Sequence, residues 1–351
     1  MKLKDIIIER IKKNGPIPFD EFMNMALYYP EAGYYTKSDL KIGRQGDFFT
    51  ASHLGKVFGL ILSKQIKLMW GKMGCPDEFA ITEIGPGMGY LAEDIMEELL
   101  YNENDKHSFQ YYLIEINPHL ENTQRERLKK YHGKIFWYDS IDKLEEFQGV
   151  LICNEIFDAF PVRVFEIRNN KVFEVYVRLN TEEFTEELKP ARQDTVEYIN
   201  EFAPWILEID GYRSEINLAM KEFIKTIYKM MKRGFVLIFD YGWSNEEYYS
   251  YERKKGSLLC YYKHSVNENP YVNLGEQDIT AHVNFTALKK WAEQAGFNVD
   301  LYLSQSKFLI SLCDEPLLEQ LQKEDLIQKF KRLVLPSGMG ESHRVMILSK
   351  L

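Results

Sequence analysis

The stretch with the clearest chemical meaning covers residues 81–89 and reads Ile-Thr-Glu-Ile-Gly-Pro-Gly-Met-Gly. Its apolar first half predicts a strand, and an amphipathic helix follows at once, because Leu91, Ile95 and Leu99 recur at helical spacing. Between strand and helix lie three alternating glycines, which let the backbone turn sharply and let a ligand approach without meeting a Cβ atom. The segment therefore predicts a turn that binds a flat, polar ligand.

The spacing of the glycines indicates which ligand this is. A dinucleotide-binding turn has the pattern Gly-x-Gly-x-x-Gly, so that a diphosphate rests on the helix N-terminus. Here the glycines are Gly85, Gly87 and Gly89, and Tyr90 stands where the third glycine of that pattern belongs. The observed spacing needs no diphosphate cradle and favours S-adenosylmethionine over NAD. A purely structural turn, or a turn for another nucleotide, is the alternative.

Three further apolar strands are predicted after this turn, and each ends at polar residues. These are Glu115 after 111–114, Asp139 and Ser140 after 134–137, and Asn154 and Glu155 after 150–153. In open α/β sheets the ligand crevice lies at the carboxyl ends of the strands. A carboxylate at Glu115 would accept hydrogen bonds from both ribose hydroxyls of an adenosine, and Asp139 or Ser140 would meet the adenine amino group. The alternative is that the acidic residues among them, such as Asp139 and Glu115, cap helices.

Composition and charge narrow the class of protein. The chain has 351 residues, of which 45% are hydrophobic and 28% are charged, which suits one large or two modest folded domains. The net charge of −9 argues against nucleic acid as a partner, because nucleic-acid binding depends on a basic surface. No apolar run approaches the ~20 residues of a membrane-spanning helix, so no membrane partner is expected.

The N-terminal residues and the cysteines bear on location and on metal binding. The chain begins with acidic side chains inside an apolar stretch, which is typical of an amphipathic helix and of neither a signal peptide nor a transit peptide. We therefore expect a cytoplasmic protein. The four cysteines are scattered, with no Cys-x-x-Cys pair and no His-Glu-x-x-His segment, so the sequence predicts no metal site.

The order of the predicted elements divides the chain into four parts. Residues 1–78 form a helical N-terminal extension, and residues 79–160 form the cofactor-binding half of an α/β core. A hairpin pattern opens an inserted region, 161–232, at the place in the chain where a substrate-binding subdomain would sit. Residues 233–351 complete the core, beginning with a buried strand over 234–242.

Several segments together resemble one known family. They are 15–19, 28–35, 46–50, 83–89, 154–162, 277–285 and 336–340, and they extend over nearly the whole chain. The chain thereby resembles the S-adenosylmethionine-dependent methyltransferases related to the mitochondrial complex I assembly factor that methylates an arginine, a family that includes mitochondrial dysfunction protein A. The segment 277–285, Gln-Asp-Ile-Thr-Ala-His-Val-Asn-Phe, is the most specific of these matches.

The resemblance implies a fold, a cofactor and a substrate. The fold is that of a class I methyltransferase, a Rossmann-like, seven-stranded and mostly parallel sheet with helices on both faces. The cofactor is S-adenosylmethionine, and the methyl acceptor is an arginine side chain of a partner protein. Within the matched segments the resemblance adds five cofactor-binding positions to those argued above, at Gly46, Asp47, Thr50, Glu83 and Pro86.

An arginine acceptor makes its own chemical demands. A guanidinium has a pKa above ~12 and is a poor nucleophile until carboxylates bind it and localise its charge. Glu155 and Asp158, three residues apart at the predicted start of a helix, would project to one side of the crevice and bind it. Alternatively they cap that helix. Asp278 and His282 would line the substrate mouth or brace its loop, with His282 as a candidate proton acceptor.

The chain departs from the family pattern at a few positions. It has Ala51-Ser52-His53 where the family usually has Ser-Pro-Glu, and Met88 and Tyr90 where the family usually has Arg and Thr. These changes bear on the substrate more than on the cofactor, because the glycines and the ribose-binding carboxylate remain. The assembly role requires a complex I partner, and the lack of a transit-peptide pattern fits a bacterial relative with a different target. The alternatives are a small-molecule methyltransferase, an NAD-dependent oxidoreductase and an assembly chaperone with a vestigial methyltransferase fold.

Overall fold

The computed structural model describes residues 2–38, 56–100 and 108–351, in which helices and strands are mixed along the chain. The helices are α1 (Leu3–Asn14), α2 (Phe19–Tyr28), α3 (Val57–Lys72), α4 (Tyr90–Leu100), α5 (Pro118–Arg127), α6 (Gln193–Phe202), α7 (Ala219–Met230), α8 (Asn245–Tyr248), α9 (Phe285–Ala295), α10 (Gln305–Ser311), α11 (Glu315–Lys323) and α12 (Ile327–Val334). The strands are β1 (Ile17–Pro18), β2 (Glu78–Ile84), β3 (Ser108–Ile114), β4 (Ile135–Tyr138), β5 (Phe147–Asn154), β6 (Arg163–Arg168), β7 (Lys171–Asn180), β8 (Glu183–Pro190), β9 (Arg213–Ile216), β10 (Met231–Trp243), β11 (Leu259–Tyr262), β12 (Ser265–Asn267), β13 (Asp278–Thr280), β14 (Val283–Asn284), β15 (Asn298–Ser304) and β16 (His343–Lys350). Within the described ranges, no helix is both long enough and apolar enough to cross a membrane.

The main sheet of the described chain runs in the order β15-β16-β10-β5-β2-β3-β4. Neighbouring strands are parallel except for β16, which is antiparallel to both β10 and β15. The two-residue strand β14 pairs with the end of β10. This arrangement confirms the seven-stranded, mostly parallel sheet of the class I methyltransferase fold.

The central strands are buried on both faces, as their continuous apolar runs require. Leu151 and Ile152 in β5 and Leu237 and Ile238 in β10 have no exposed surface. One face packs against α3, α4, α10, α11 and α12, and the other packs against α6, α7 and α9. The predicted α/β layering, with helices on both faces of the sheet, is therefore confirmed.

A second, antiparallel sheet lies beside the main sheet, in the order β1-β7-β6-β9, with β8 also paired to β7. The predicted hairpin forms its centre, because β6 and β7 are joined by Asn169 and Asn170, whose φ angles are 49° and 59°. Two adjacent residues with positive φ are typical of the tightest hairpin turns, and asparagine tolerates that conformation. A small sheet in the order β12-β11-β13 completes the described strands.

Two of the predicted chain segments, 1–78 and 161–232, each pack partly on the antiparallel sheet and partly on the main sheet. In the predicted extension 1–78, α1 and α2 bury Ile7 and Phe22 against the antiparallel layer, whereas α3 packs on the main sheet. In the predicted insertion 161–232, the last helix, α7, packs on the main sheet through Ile224 and Ile227. The apolar side chains of α7 recur at helical spacing, and this stripe places the helix against the main sheet.

Candidate active site

A cavity of about 610 Å³ opens at the carboxyl ends of β2, β3, β4 and β5. The predicted site residues that line it are Glu83, Gly85, Pro86, Gly87, Glu115, Asp139, Ser140, Asn154 and Glu155. The predicted residues that do not line it are Gly89, Asp158, Asp278 and His282. Gly46, Asp47 and Thr50 lie outside the described residues. Apolar side chains from the turn after β5 and from α7 form one wall, including Ile156, Phe160 and Phe223.

The glycine turn after β2 has a backbone conformation that few other residues tolerate. Gly85, Gly87 and Gly89 have φ angles of 61°, 55° and 76°, in the left-handed region. A Cβ atom on Gly85 would lie 2.7 Å from Cδ1 of Ile156, and one on Gly89 would lie 3.4 Å from Cγ of Gln124 on α5. Gly85 and Gly87 line the cavity. Gly89 does not line it, and its positive φ angle lets the backbone turn into α4.

Gln124 on α5 connects this turn to the predicted ribose carboxylate. Its Nε2 donates to the carbonyl oxygen of Gly87 at 2.7 Å and to Oε2 of Glu115 at 2.9 Å, and Nε1 of Trp137 donates to its Oε1 at 3.1 Å. Sequence reasoning missed this fully buried side chain. The available signal was its position four residues after Leu120, on the buried face of α5.

Glu115 follows β3 and presents a buried carboxylate at the cavity wall. The amide of Asn117 donates to its Oε1 at 2.8 Å, and Gln124 donates to its Oε2. A carboxylate offers about four acceptor sites, so sites remain for ligand hydroxyls. Burial raises the pKa of Glu115 to about 7, against the lowering effect of these hydrogen bonds. Its position suits the predicted contact with a ribose.

Replacing Glu115 by alanine is expected to weaken binding of S-adenosylmethionine by about 10- to 150-fold, the range of ~1.5–3 kcal/mol for hydrogen bonds to a charged group. Because the wild-type carboxylate ionises near pH 7, wild-type affinity should also rise between pH 6 and 8, and this rise should be smaller in the variant. Titration calorimetry measures both effects, with Glu146→Ala on the exposed surface as the control. An unchanged affinity with a lower melting temperature of the cofactor-free protein would show that Glu115 only stabilises the turn.

Asp139 and Ser140 stand at the cavity rim after β4. The carboxylate of Asp139 is largely exposed and pairs with Nζ of Lys143, one helical turn later. Oγ of Ser140 accepts a hydrogen bond from the amide of Asp142 at 3.3 Å and caps the short 3₁₀ helix Ile141–Lys143. Ser140 is therefore the helix cap here, whereas the capping alternative concerned the acidic residues, and both Asp139 and Ser140 line the cavity.

Asn154 is the last residue of β5, Glu155 follows it, and both line the cavity. Oδ1 of Asn154 is buried without a hydrogen-bond partner. Glu155 has a φ angle of 54°, and only 3% of its side chain is exposed. Its Oε2 accepts a hydrogen bond from the hydroxyl of Tyr241 at 2.7 Å. A buried acceptor without a donor, next to a strained backbone, is typical of a site that binds a ligand.

The segment after Glu155 is a turn, not the helix that the sequence predicted. Asp240, in the last part of β10, holds this turn, because its Oδ2 accepts hydrogen bonds from the amides of Ile156, Phe157 and Asp158 at 3.2, 2.8 and 3.4 Å. Burial raises the pKa of Asp240 to about 8. The positive φ of Glu155 prevents a helix from starting there, and the structure corrects the prediction that Asp158 projects with Glu155 into the crevice.

Asp158 and Asp278 form a buried acidic group behind the cavity wall. Asp158 is 5% exposed, and its Oδ1 has no hydrogen-bond partner. Burial, and then the charges of Asp240, Asp278 and Glu155, raise the pKa of Asp158 well above its usual value. Asp278 accepts a hydrogen bond from the hydroxyl of Tyr35 at 2.8 Å. The acidic side chains from three separate segments therefore meet, although only Glu155 reaches the cavity lining.

Tyr28 and Tyr35 separate Asp278 from the cavity, and sequence reasoning assigned neither of them a role. Their rings stack with centroids 5.5 Å apart, and both line the cavity. The hydroxyl of Tyr28 donates to the carbonyl oxygen of Ala159 at 3.0 Å. Nδ2 of Asn117 donates to the carbonyl oxygens of Tyr35 and Lys37 at 3.0 Å. Hydrogen bonds thus hold the segment 28–37 to Ala159 on one side of the cavity and to Asn117 on the other.

His282 does not line the cavity, and its contacts hold its own loop against Trp243 and Ser257. Its ring packs on Trp243 with centroids 4.1 Å apart, and its amide donates to Oγ of Ser257 at 3.0 Å. The guanidinium of Arg253 covers the Trp243 ring, 3.4 Å from its centroid. Burial lowers the pKa of His282 to about 4. Of the two roles predicted for His282, this geometry favours bracing the loop over lining the substrate mouth.

Comparison with known sequences gives a consistent set of matches. Residues 61–303 match the model of a protein family described as "Putative S-adenosyl-L-methionine-dependent methyltransferase". A Drosophila melanogaster protein named "Protein arginine methyltransferase NDUFAF7 homolog, mitochondrial" is 27% identical over 369 residues, covering 94% of this chain and 81% of that protein. A Danio rerio protein named "Protein arginine methyltransferase NDUFAF7, mitochondrial" is 26% identical, covering 95% of this chain and 84% of that protein. These names place the relatives in mitochondria, and the cytoplasmic location expected of this chain stays a prediction.

Solved structures also resemble this chain over nearly its whole length. A Burkholderia thailandensis protein bound to S-adenosyl-homocysteine superposes with a TM-score of 0.90 at 28% identity, covering 99% of this chain and 92% of that chain. A native crystal structure from the same organism superposes with a TM-score of 0.85 at 28% identity, covering 99% and 91% of the two chains. The ligand of the first structure is S-adenosylmethionine without its transferable methyl group.

Proposed function

Because the chain belongs to the S-adenosyl-L-methionine-dependent methyltransferase family that its residues 61–303 match, we propose that it transfers the methyl group to an arginine side chain of a protein. The resemblance stated from the sequence is confirmed, and S-adenosylmethionine is the cofactor. When bound, this cofactor supplies an electrophilic methyl group on a sulfonium. The arginine acceptor is the part of the function that we propose.

The residues at the cavity fit the cofactor. Gly85 and Gly87 expose backbone to the cavity, and a Cβ atom on Gly85 would meet Ile156. Glu115 offers acceptor sites to ribose hydroxyls, and Oδ1 of Asn154 is a buried acceptor that lacks a donor. Together these groups would hold the nucleoside and the amino-acid tail, while the apolar wall from α7 excludes water from the reacting atoms.

The observation that carries the proposal is the carboxylate of Glu155 at the cavity wall with further acidic side chains behind it. Burial and the charges of Asp240, Asp278 and Glu155 raise the pKa of Asp158, so the negative charge that faces the cavity is that of Glu155, and it favours a cation there. A bound guanidinium would balance this charge. Its charge would in turn be drawn toward Glu155, which makes the facing nitrogen a better nucleophile. A neutral small molecule would gain nothing from this arrangement.

The other residues of the site would keep Glu155 in position for this chemistry. The hydroxyl of Tyr241 holds Oε2 of Glu155, and Asp240 holds the backbone of the turn that follows. Methyl transfer is an in-line displacement, so holding donor and acceptor ~3–3.5 Å apart supplies much of the rate acceleration. The names of the Drosophila and zebrafish relatives, both called protein arginine methyltransferases, support the same acceptor.

Identification of the methylated amino acid tests the proposal directly. The purified chain is incubated with methyl-labelled S-adenosylmethionine and a lysate of the source organism from which the gene has been deleted. The labelled proteins are then hydrolysed to amino acids and separated. We expect most of the enzyme-dependent label in methylarginine, because the carboxylates select a guanidinium.

Two other results would count against the proposal. Label in small molecules would indicate a small-molecule methyltransferase, and no label from a preparation that still binds S-adenosylmethionine would indicate an assembly chaperone. A reaction with heat-inactivated protein is the blank. The exposed-surface variant Glu146→Ala, purified in the same way, should label the same amino acid as the wild-type chain.

A further inference from the structure

His343, the first residue of β16, places its imidazole beside Glu155. Its Nε2 lies 3.9 Å from Oε1 of Glu155, and only 3% of the His343 side chain is exposed. This Nε2 is buried without a hydrogen-bond partner, whereas Nδ1 lies 3.0 Å from Oγ of Ser342. Leaving a buried polar atom unpaired costs free energy, so an unpaired ring nitrogen next to the acceptor-binding carboxylate requires an explanation.

We propose that His343 takes up, through Glu155, the proton that methyl transfer releases. This inference rests on the proposed function, in which Glu155 binds the guanidinium. As the acceptor nitrogen bonds to the methyl group, one of its N–H bonds breaks and the proton passes to Oε1 of Glu155. The new O–H bond then breaks as an N–H bond forms at Nε2 of His343. Glu155 is thereby returned to its charged form.

The surroundings of His343 suit this role. If Nδ1 carries the proton of the neutral ring and donates it to Oγ of Ser342, Nε2 presents a lone pair toward Glu155. The His343 ring packs against Tyr241 with centroids 4.2 Å apart, and the same tyrosine donates its hydroxyl proton to Glu155. Tyr241 therefore fixes both the carboxylate and the imidazole.

The charges that face His343 keep its resting ring neutral. Burial lowers the pKa of His343 to about 4 against the raising effect of a backbone hydrogen bond with Met339, and His282 and Arg344 lower it further, so the resting ring is neutral. On the other side of the ring lie the carboxylate of Glu155, 3.9 Å from Nε2, and the phenol ring of Tyr241. A neutral ring is able to accept a proton, and the adjacent carboxylate, once restored, stabilises the imidazolium that results.

The tautomer of His343 tests the proposal without any acceptor. Nitrogen NMR of the wild-type protein labelled in its seven histidines should show, beside the neutral ring expected of buried His282, a neutral ring of His343 that is untitrated above pH 6, with a protonated Nδ1 and a bare Nε2. This signal should be absent from His343→Phe or His343→Gln. If none of the seven rings has this form, the proposal is wrong, whether or not the variants fold.

The rate of methyl transfer provides the second test. His343→Phe keeps a ring against Tyr241 but has no nitrogen, and we expect its single-turnover rate to fall by about 10-fold or more at unchanged affinity for S-adenosylmethionine. In His343→Ala, added imidazole should restore part of the rate, which a purely structural role would not produce. His132→Gln, a histidine substitution on the exposed surface, is the control.

The outcomes separate this proposal from the proposed function. Wild-type rates in His343→Phe, or loss of rate in His343→Ala without rescue by imidazole, would overturn the role of His343 even if methylarginine is the product. A product other than methylarginine would overturn the proposed acceptor, and the NMR measurement of the His343 tautomer would be unaffected.

Discussion

Glu155→Gln is expected to slow methyl transfer by about 100-fold or more while the affinity for S-adenosylmethionine stays within a few fold. Glutamine keeps the shape of the side chain, and its amide oxygen can still accept the hydrogen bond from Tyr241. What it loses is the negative charge that binds and localises the charge of a guanidinium. The effect should therefore fall on the chemical step.

The measurement is single-turnover methyl transfer at saturating cofactor into the protein that is labelled in the lysate. Glu146→Gln, the same substitution on the exposed surface, is the matched control and should react at the wild-type rate. Equal rates in Glu155→Gln and wild type would exclude Glu155 as the guanidinium partner. Loss of cofactor binding together with activity would place Glu155 in the cofactor site instead.

Gly87→Val is expected to abolish binding of S-adenosylmethionine, with an affinity loss greater than about 100-fold, or ~2.7 kcal/mol. Gly87 lines the cavity with a φ angle of 55°, where a β-branched residue is strongly disfavoured. Valine would either strain the turn or move it, and the hydrogen bond that links Gly87 to Gln124 and onward to Glu115 would be disturbed.

Gly133→Val is the matched control for this variant. Gly133 has a φ angle of 84°, and a Cβ atom there would meet nothing within 4 Å. The control therefore carries a similar backbone cost of ~1–2 kcal/mol at a position that does not line the cavity. Calorimetry on both variants separates loss of stability from loss of the binding turn. Wild-type affinity in Gly87→Val would refute the assignment of this turn to the cofactor.

The sequence was most informative where one local pattern decides the structure. The buried strands β2, β3, β5 and β10 are continuous apolar runs, and the polar residues at the ends of the first three were correctly placed at one edge of the sheet. The helix α4 follows from its apolar spacing alone. In these segments burial and local propensity favour the same conformation, so the pattern is sufficient.

The residues that sequence reasoning missed owe their position to contacts between distant segments. Asp240 holds a turn more than 80 residues earlier in the chain, and His343 meets Glu155 only because β16 enters the sheet next to β10. The left-handed conformation of Glu155 likewise depends on the turn that Asp240 holds. No local periodicity encodes such contacts, and a candidate such as His282 was favoured because its segment is distinctive.

The position of β16 has a consequence for the synthesis of the protein. Residues 343–350 pair on one side with β10 and on the other with β15, so β10 waits for a partner strand that is made about 100 residues later. At ~5–20 residues per second, the apolar edge of β10 stays unpaired on the ribosome for roughly 5–20 seconds. An open edge of this kind is prone to pair with other chains. We therefore expect cellular yield to depend on chaperones that shield this edge during translation as well as on the stability of the finished fold.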